Sequence, residues 1–116
     1  MKLTTIGAAL FATLMLAPVG ARAEMLADAN GMTLYTFDKD TGGVSACYDD
    51  CAVKWPPYLV TEGATMGEGW TQVDRTDGTK QWAYDGKPLY FFIEDKAKGD
   101  MAGDGLGGVW HVVNED

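Results

Sequence analysis

The feature that most constrains this 116-residue chain is an internal duplication. A shift of 55 residues, with no gap, superposes identical residues at several positions, six of which define the repeat. The pairs are Gly31 with Gly86, Leu34 with Leu89, Tyr35 with Tyr90, Phe37 with Phe92, Asp40 with Asp95, and Trp55 with Trp110. Similarity at a fixed spacing is the mark of a repeated structural unit. The spacing therefore predicts two pseudo-equivalent halves, about residues 26–60 and 81–115.

The first 23 residues have the order of a secretory signal peptide. Lys2 is followed by an apolar run that Pro18 ends, and then by the small-x-small site Ala21-Arg22-Ala23. The run is shorter than the roughly 20 apolar residues that a membrane-spanning helix needs. We expect cleavage after Ala23, no stable membrane span afterwards, and a single domain over residues 24–116. Because no cysteine lies near the cut, the sequence predicts a soluble periplasmic or secreted protein with no lipid anchor.

The charge of the chain favours some partners over others. The formal net charge is −8, and removal of the first 23 residues would leave seven basic and seventeen acidic residues, a net charge of −10. Such a surface repels phosphate backbones, which argues against nucleic acids and anionic membranes. Cations or basic partners are better candidates, and we expect the partner to be an envelope protein or a small polar ligand.

Strand and turn signals alternate through the mature region. Asn30-Gly31 lies between two alternating runs, Met25–Ala29 and Met32–Phe37, and predicts a tight hairpin. Asp85-Gly86 predicts a second tight hairpin in the same way. The other predicted strands are Trp70–Asp74, Thr79–Tyr84, Lys87–Ile93 and Val109–Val113, with a further turn at Thr76-Asp77-Gly78. We expect a mainly β fold: a small antiparallel domain of two pseudo-repeated hairpin units.

One short helix is predicted between Ser45, its possible cap, and Trp55, because Pro56-Pro57 would stop it. Cys47 and Cys51 lie within this segment. In an oxidising compartment a cysteine pair is usually bridged. We therefore expect a disulfide that staples one helical turn.

The motifs together resemble those of a family of bacterial secreted proteins and predicted lipoproteins with a repeated Y-x-(F/W/Y)-x-x-D motif. Here the motif occurs at Tyr35–Asp40 and at Tyr90–Asp95, and the likeness extends to the C-x-x-x-C-A-x-x-W-P-P segment and to Gly107–Val113. The resemblance covers nearly the whole mature chain and implies export. It implies little about chemistry, since the family is largely of unassigned function.

The candidate ligand-binding residues are the repeated aromatic and acidic ones: Tyr35, Phe37, Asp40, Tyr90, Phe92 and Asp95. Alternation puts Tyr35 and Phe37 on one face of their strand, where they could line a groove shared by the two halves. The competing interpretation makes the aromatic rings core residues. It makes Asp40 and Asp95 caps of the turns that follow their strands.

Metal binding is an alternative to be tested by the structure. Cys47, Cys51 and His111 could hold copper or zinc if the thiols were free. Asp38–Asp49 fits a calcium-loop template poorly, because Gly42 occupies a ligand position. A weak calcium site in the glycine-rich stretch Gly99–Gly108 is the other possibility.

Catalysis finds little support in the residues available. Ser45 is the one serine and His111 the one histidine in residues 24–116, and no nucleophile elbow surrounds Ser45. The sequence favours an exported, non-catalytic binding or interaction module with no cofactor. A metal-handling protein and an acidic docking partner for a basic electron carrier are the alternatives.

Overall fold

The computed structural model of the chain describes residues 24–115. The predicted signal peptide, residues 1–23, lies outside the described residues. Seven short strands, one α-helix and one 3-10 turn make up the described part. They are β1 (Glu24–Met25), β2 (Tyr35–Phe37), α1 (Asp50–Lys54), β3 (Trp70–Asp74), β4 (Lys80–Tyr84), β5 (Lys87–Pro88), the 3-10 turn Leu106–Gly108, β6 (Trp110–Val112) and β7 (Asn114–Glu115).

All strand pairs among the described residues are antiparallel, and they form three small sheets. β1 pairs with β7, β2 pairs with β6, and β3, β4 and β5 form a three-stranded sheet in that order. Isolated bridges between Tyr90 and both Tyr35 and Pro57 connect the halves. The prediction of a mainly β antiparallel domain is confirmed.

The two predicted hairpins form at their turn dipeptides. Ala27 bridges Thr33 across the first turn, and β4 pairs with β5 across the second. Asp85 and Gly86 both have positive φ, 55° and 82°, which is the conformation that a two-residue hairpin turn requires. Asp85-Gly86 therefore forms the turn for the reason on which the prediction was based, namely that both residues tolerate a positive φ.

The helix is shorter than the sequence predicted. α1 covers only Asp50–Lys54, and it follows Asp49, which has a positive φ of 54° and makes no side-chain cap bond. Ser45 does not cap it, because the Ser45 hydroxyl is buried and bonds to the Tyr90 hydroxyl instead. The disulfide between Cys47 and Cys51 is present, with the two Cα atoms 5.2 Å apart.

The two repeats meet at their equivalent tyrosines. The Tyr35 N–H donates to the Tyr90 carbonyl at 2.8 Å, and the Tyr90 N–H donates to the Tyr35 carbonyl at 3.0 Å. Both residues are fully buried, as are Leu34 and Leu89 beside them. A pseudo-twofold axis therefore passes between Tyr35 and Tyr90.

The last extended segment of each repeat pairs with the other repeat. β6, from the end of the second repeat, pairs with β2 of the first. Pro57 and Tyr58, from the end of the first repeat, pair with Tyr90 and Trp82 of the second. The halves are intertwined, so neither has its full set of strand partners alone.

Two hydrophobic clusters lie on opposite faces of the central strands. One contains Tyr35, Cys47, Trp55, Tyr90 and Trp110, with Phe37 and Phe92 packed against it. The other contains Leu26, Leu34, Trp82 and Leu89. The alternation of side chains along 34–37 and 89–92 assigned these residues to the correct faces.

Candidate functional site

The repeated tyrosines and aspartates form a reciprocal pair of hydrogen bonds between the repeats. The Tyr35 hydroxyl donates to Asp95 Oδ2 at 2.7 Å, and the Tyr90 hydroxyl donates to Asp40 Oδ2 at 2.8 Å. Each tyrosine thus bonds to the aspartate of the other repeat. The tyrosine and the aspartate of one motif therefore bond across the pseudo-twofold axis to the other motif, and not to each other.

The second carboxylate oxygen of each aspartate holds the loop that follows its own motif. Asp40 Oδ1 accepts the Ala46 N–H at 2.7 Å, and Asp95 Oδ1 accepts the Ala102 N–H at 2.9 Å. A carboxylate that accepts a backbone N–H makes a charge-assisted bond. Both aspartates therefore fix a loop and a tyrosine at the same time.

The other repeated aromatic residues form a column of four rings. Trp55 and Trp110 stack with centroids 3.8 Å apart at 3°, Phe37 stacks on Trp110 at 4.0 Å, and Phe92 stacks on Trp55 at 4.1 Å. The order Phe37, Trp110, Trp55, Phe92 alternates between the repeats. Tyr35 and Tyr90 each meet the nearer tryptophan edge-on, at 5.2 Å.

Burial shifts the protonation of these groups. Burial, with a smaller contribution from the bond to Asp95, raises the pKa of the Tyr35 hydroxyl well above 10.0. The pKa of Tyr90 is raised in the same way, mainly by burial. Burial also raises the pKa of Asp40, although the bonds from Tyr90 and Ala46 oppose the rise.

The two halves differ in what supports the tyrosine hydroxyl. Ser45 Oγ bonds to the Tyr90 hydroxyl and accepts a bond from the buried Arg75 Nη1 at 3.1 Å. Since Tyr90 donates to Asp40, two hydroxyls link the Arg75 guanidinium to the Asp40 carboxylate. In the other half the Gly103 N–H donates to the Tyr35 hydroxyl at 3.2 Å, and no cationic side chain of residues 24–115 bonds to that hydroxyl.

Sequence reasoning missed Arg75, Gln81 and Gly103. Arg75 is 5% exposed and Gln81 fully buried, and they bond to each other at 2.9 Å. An arginine beside a polar turn is usually a surface residue, so the sequence around Arg75 gave no indication that its side chain is buried. Gly103 gave no signal either, because the shift of 55 residues places it opposite Tyr48, which it does not resemble.

A groove of about 610 Å³ opens beside the first repeat, and we call it the acidic groove. Its lining comes from β2 and the turn after it, from β3, and from the second hairpin turn. The lining residues are Thr36, Phe37, Asp38, Asp40, Gly42, Gly43, Thr71, Val73, Asp85, Gly86, Lys87 and Pro88. Three carboxylates and one ammonium group therefore face a space of the size that small ligands occupy.

The predicted ligand-binding residues are divided between interior and groove. Phe37 and Asp40 line the acidic groove. Tyr35, Tyr90 and Asp95 are buried in the interior, and Phe92 is half-buried in the ring column. The structure thus brings all six into one network, in which the aspartates have the turn-holding role that the sequence also suggested. Ligand binding by these residues stays a prediction.

The metal alternative lacks its ligands in this structure. Cys47 and Cys51 are joined as a disulfide, and His111 Nε2 lies 2.9 Å from Asp38 Oδ2 at the surface. Asp100 and Asp104 of the glycine-rich stretch accept backbone N–H groups. Within residues 24–115, no group of three histidine, cysteine, aspartate or glutamate side chains could hold a metal ion.

The chain matches one known family over most of its length. Residues 21–58 and 71–114 each match the sequence profile of a family described as a secreted repeat of unknown function. The chain belongs to this secreted repeat family. The two matches fall on the two intertwined halves, so the predicted resemblance is confirmed for the family and for its duplication.

Other comparisons add no relative to the secreted repeat family. Neither the curated proteins nor the solved structures gave a match to the chain. Among residues 24–115 the structure contains no helix long and apolar enough to cross a membrane.

Proposed function

We propose that this member of the secreted repeat family is an exported, soluble binding module without catalytic activity. Its ligand is a positively charged or polar molecule that occupies the acidic groove. The observation that carries the proposal is the lining of this groove, which contains three carboxylates, those of Asp38, Asp40 and Asp85, and one ammonium group, that of Lys87. The half-buried ring of Phe37 supplies an apolar wall beside them.

The positions of Ser45 and His111 support a non-catalytic role. Ser45 is 4% exposed and its hydroxyl is engaged by Tyr90 and Arg75. His111 bonds to Asp38 on the exposed side of β6. A base that activates a serine must lie within hydrogen-bond reach of it, and the bonds of these two residues lead to different partners.

The rigidity of the surroundings suits a binding site. Asp40 is held by Ala46 and Tyr90, and the backbone of the Gly42-Gly43 turn approaches Gly86 of the second hairpin, so that a Cβ on Gly43 would lie 3.6 Å from the Gly86 carbonyl oxygen. A preorganised site loses less entropy on binding. The groove therefore presents the Asp40 carboxylate in a fixed position.

The test is a titration of the ¹⁵N-labelled protein with spermidine and with glucosamine, two cationic probes, followed by NMR. We expect shifted amides at Thr36, Thr71 and Lys87. Asp85→Asn should weaken binding about two- to five-fold, as expected for one partly exposed charge pair. Glu94→Gln, the same change of charge outside the groove, is the matched control. Equal weakening by both variants, or no shift in the groove with either probe, would refute the proposal.

The second candidate function is an acidic docking partner for a basic electron carrier. The net charge of −8 favours it, because opposite charge accelerates association and strengthens it at low salt. Binding to horse-heart cytochrome c, used as a basic probe protein, should weaken by at least ten-fold between low and physiological salt. Binding that is absent at low salt would exclude this candidate.

A further inference from the structure

The backbone of β4 shows which side of β3 is open. The Trp82 N–H donates to the Tyr58 carbonyl at 2.8 Å, and the Trp82 carbonyl accepts the Leu89 N–H at 3.0 Å. Both backbone groups of Trp82 therefore point away from β3. Because these directions alternate along an antiparallel strand, the neighbours Gln81 and Ala83 make the ladder bonds to β3.

The register of β3 then fixes the direction of its own backbone groups. Val73 lies opposite Gln81, Thr71 opposite Ala83, and Gln72 opposite Trp82. Thr71 and Val73 bond to β4, so the N–H and carbonyl of Gln72 point outward. Within the described part of the chain β3 is the edge of its sheet, and Gln72 is exposed. An exposed edge strand is a template for another extended chain.

The same strand borders the acidic groove. The side chains of Thr71 and Val73 line it, across from Asp38, Asp40 and Asp85. Side chains of a strand added to β3 would alternate between the two faces of the sheet. Every second side chain of the added strand would therefore lie on the groove face, where carboxylates outnumber ammonium groups.

We propose that β3 pairs with an extended basic segment of a partner protein. The backbone of that segment bonds to Gln72, and lysine or arginine side chains at alternate positions extend toward Asp85 and Asp38. Charge complementarity selects this occupant, because the groove lining has three acidic residues and one basic residue, and the whole chain has a net charge of −8. The inference rests on the proposed function and names the class of partner that the groove takes.

The experiment uses an acetylated and amidated peptide, Lys-Thr-Lys-Thr-Lys-Thr-Lys, with Glu-Thr-Glu-Thr-Glu-Thr-Glu as the charge-reversed control. The decisive variant is Gln72→Pro, since proline removes an outward N–H at an edge without breaking a ladder bond to β4. Gln72→Thr is its matched control. We expect the basic peptide to bind, Gln72→Pro to weaken binding at least ten-fold, and Gln72→Thr to leave it within two-fold.

Hydrogen exchange of the wild-type protein gives a second readout that needs no variant. The Gln72 amide should exchange at least ten-fold more slowly with the basic peptide bound. An unchanged Gln72 amide would overturn the inference, as would equal affinity of the proline and threonine variants. Concentration-dependent dimerisation that Gln72→Pro abolishes would also overturn it, because the occupant of β3 would then be a second copy of the chain.

The spermidine titration separates the two proposals. One outcome is that spermidine changes the chemical shifts of the groove amides while substitution of Gln72 leaves the affinity of the peptide unchanged. The groove is then a small-molecule site, and only the pairing with β3 is wrong. If the peptide protects Gln72 but neither spermidine nor glucosamine affects the groove, the pairing holds and the proposed small-ligand function fails.

Discussion

At the scale of single residues, two tyrosine hydroxyls join the repeats. Each donates to a carboxylate of the other repeat, and hydrogen bonds to charged groups contribute about 1.5–3 kcal/mol. The tyrosine rings would remain packed if only the oxygen were removed. The hydroxyl contribution can therefore be measured apart from the packing.

We expect Tyr35→Phe to lower the free energy of unfolding by about 1.5–3 kcal/mol, because Asp95 is 7% exposed and would lose a buried partner. Urea denaturation is the measurement. Tyr48→Phe is the control, since the Tyr48 hydroxyl accepts one exposed backbone N–H and its loss should cost about 1 kcal/mol or less. Equal losses in the two variants would contradict the interpretation.

The raised tyrosine pKa values predict weakness at alkaline pH. Below the ordinary pKa of 10.0 the hydroxyls are protonated in both the folded and the unfolded state. Above it the unfolded chain loses these protons while Tyr35 and Tyr90 keep theirs, so the free energy of unfolding falls as pH rises. Urea titrations at pH 8 to 11 should show this fall. In the double variant Tyr35→Phe, Tyr90→Phe the free energy of unfolding should decrease less steeply with pH. An equally steep decrease would contradict the prediction.

Which residues the sequence could identify depends on whether their role repeats. Tyr35, Asp40 and their equivalents were found because both halves need them. Ser45, Arg75 and Gln81 serve only the Tyr90 half, so the duplication gave no signal for them. The burial of Arg75 follows from partners distant in sequence, Ser45 and Cys47, which no local pattern reports.

At the scale of elements, the ring column limits the size of its neighbours. A Cβ on Gly103 would lie 2.5 Å from Trp55 Cη2 and 2.9 Å from Phe92 Cδ2. These rings are stacked on each other and enclosed by Tyr35, so they have little room to move. Only glycine therefore fits at position 103, because its Cα lies close to two aromatic rings.

We expect Gly103→Ala to lower the free energy of unfolding by about 1–3 kcal/mol, the usual cost of overpacking. The control is Gly67→Ala, because no atom lies within 4 Å of a Cβ at Gly67 and its exposed position should leave stability within about 0.5 kcal/mol. Chemical denaturation gives the stabilities, and near-ultraviolet circular dichroism reports the tryptophan pair. If Gly103→Ala leaves the free energy of unfolding unchanged, the rings of the column can move to admit a methyl group and the prediction is wrong.

Local elements were predicted where local chemistry specifies them. Asp85-Gly86 specifies its hairpin by the positive φ of both residues. At Asn30-Gly31 only the glycine has a positive φ, and Asp28 Oδ1 also holds the turn by accepting the N–H groups of Asn30 and Met32. The predicted helix was too long at its N-terminal end. Ser45 bonds to the Tyr90 hydroxyl and the Cys47 carbonyl accepts a bond from Arg75, so both residues lie in the interior and outside the helix. The remaining helix has five residues, too few to be stable alone, and the disulfide of Cys51 to Cys47 ties it to the core.

At the scale of the whole molecule, the last extended segment of each repeat pairs with the other repeat, so we expect the repeats to associate without the connection between them. The connecting residues 61–69 are largely exposed, and the bonds that hold the halves together lie elsewhere. The sequence repeat identified equivalent positions but could not show which copy pairs with which. Pairing within a repeat and pairing between repeats use the same residues.

We expect the halves to stay together after the connection is cut. A protease site that replaces residues 65–68 would be cleaved in the folded protein, and native mass spectrometry should then give the summed mass of both fragments. A denaturing gel confirms that cleavage is complete. Fragments that separate in buffer without denaturant would mean that each repeat completes its own fold, contrary to the observed pairing.

The pairing of β1 with β7 also sets the moment at which the chain can finish folding. Glu24 lies opposite Glu115, so the first and last described strands close the same ladder. While a ribosome is still making the second repeat, Phe37 and Trp55 have no Trp110 to stack against. Contacts between such distant residues form slowly. A nascent chain of this design cannot complete either ladder before β6 and β7 are made, and an incompletely folded polypeptide is the form that can be threaded through a narrow channel.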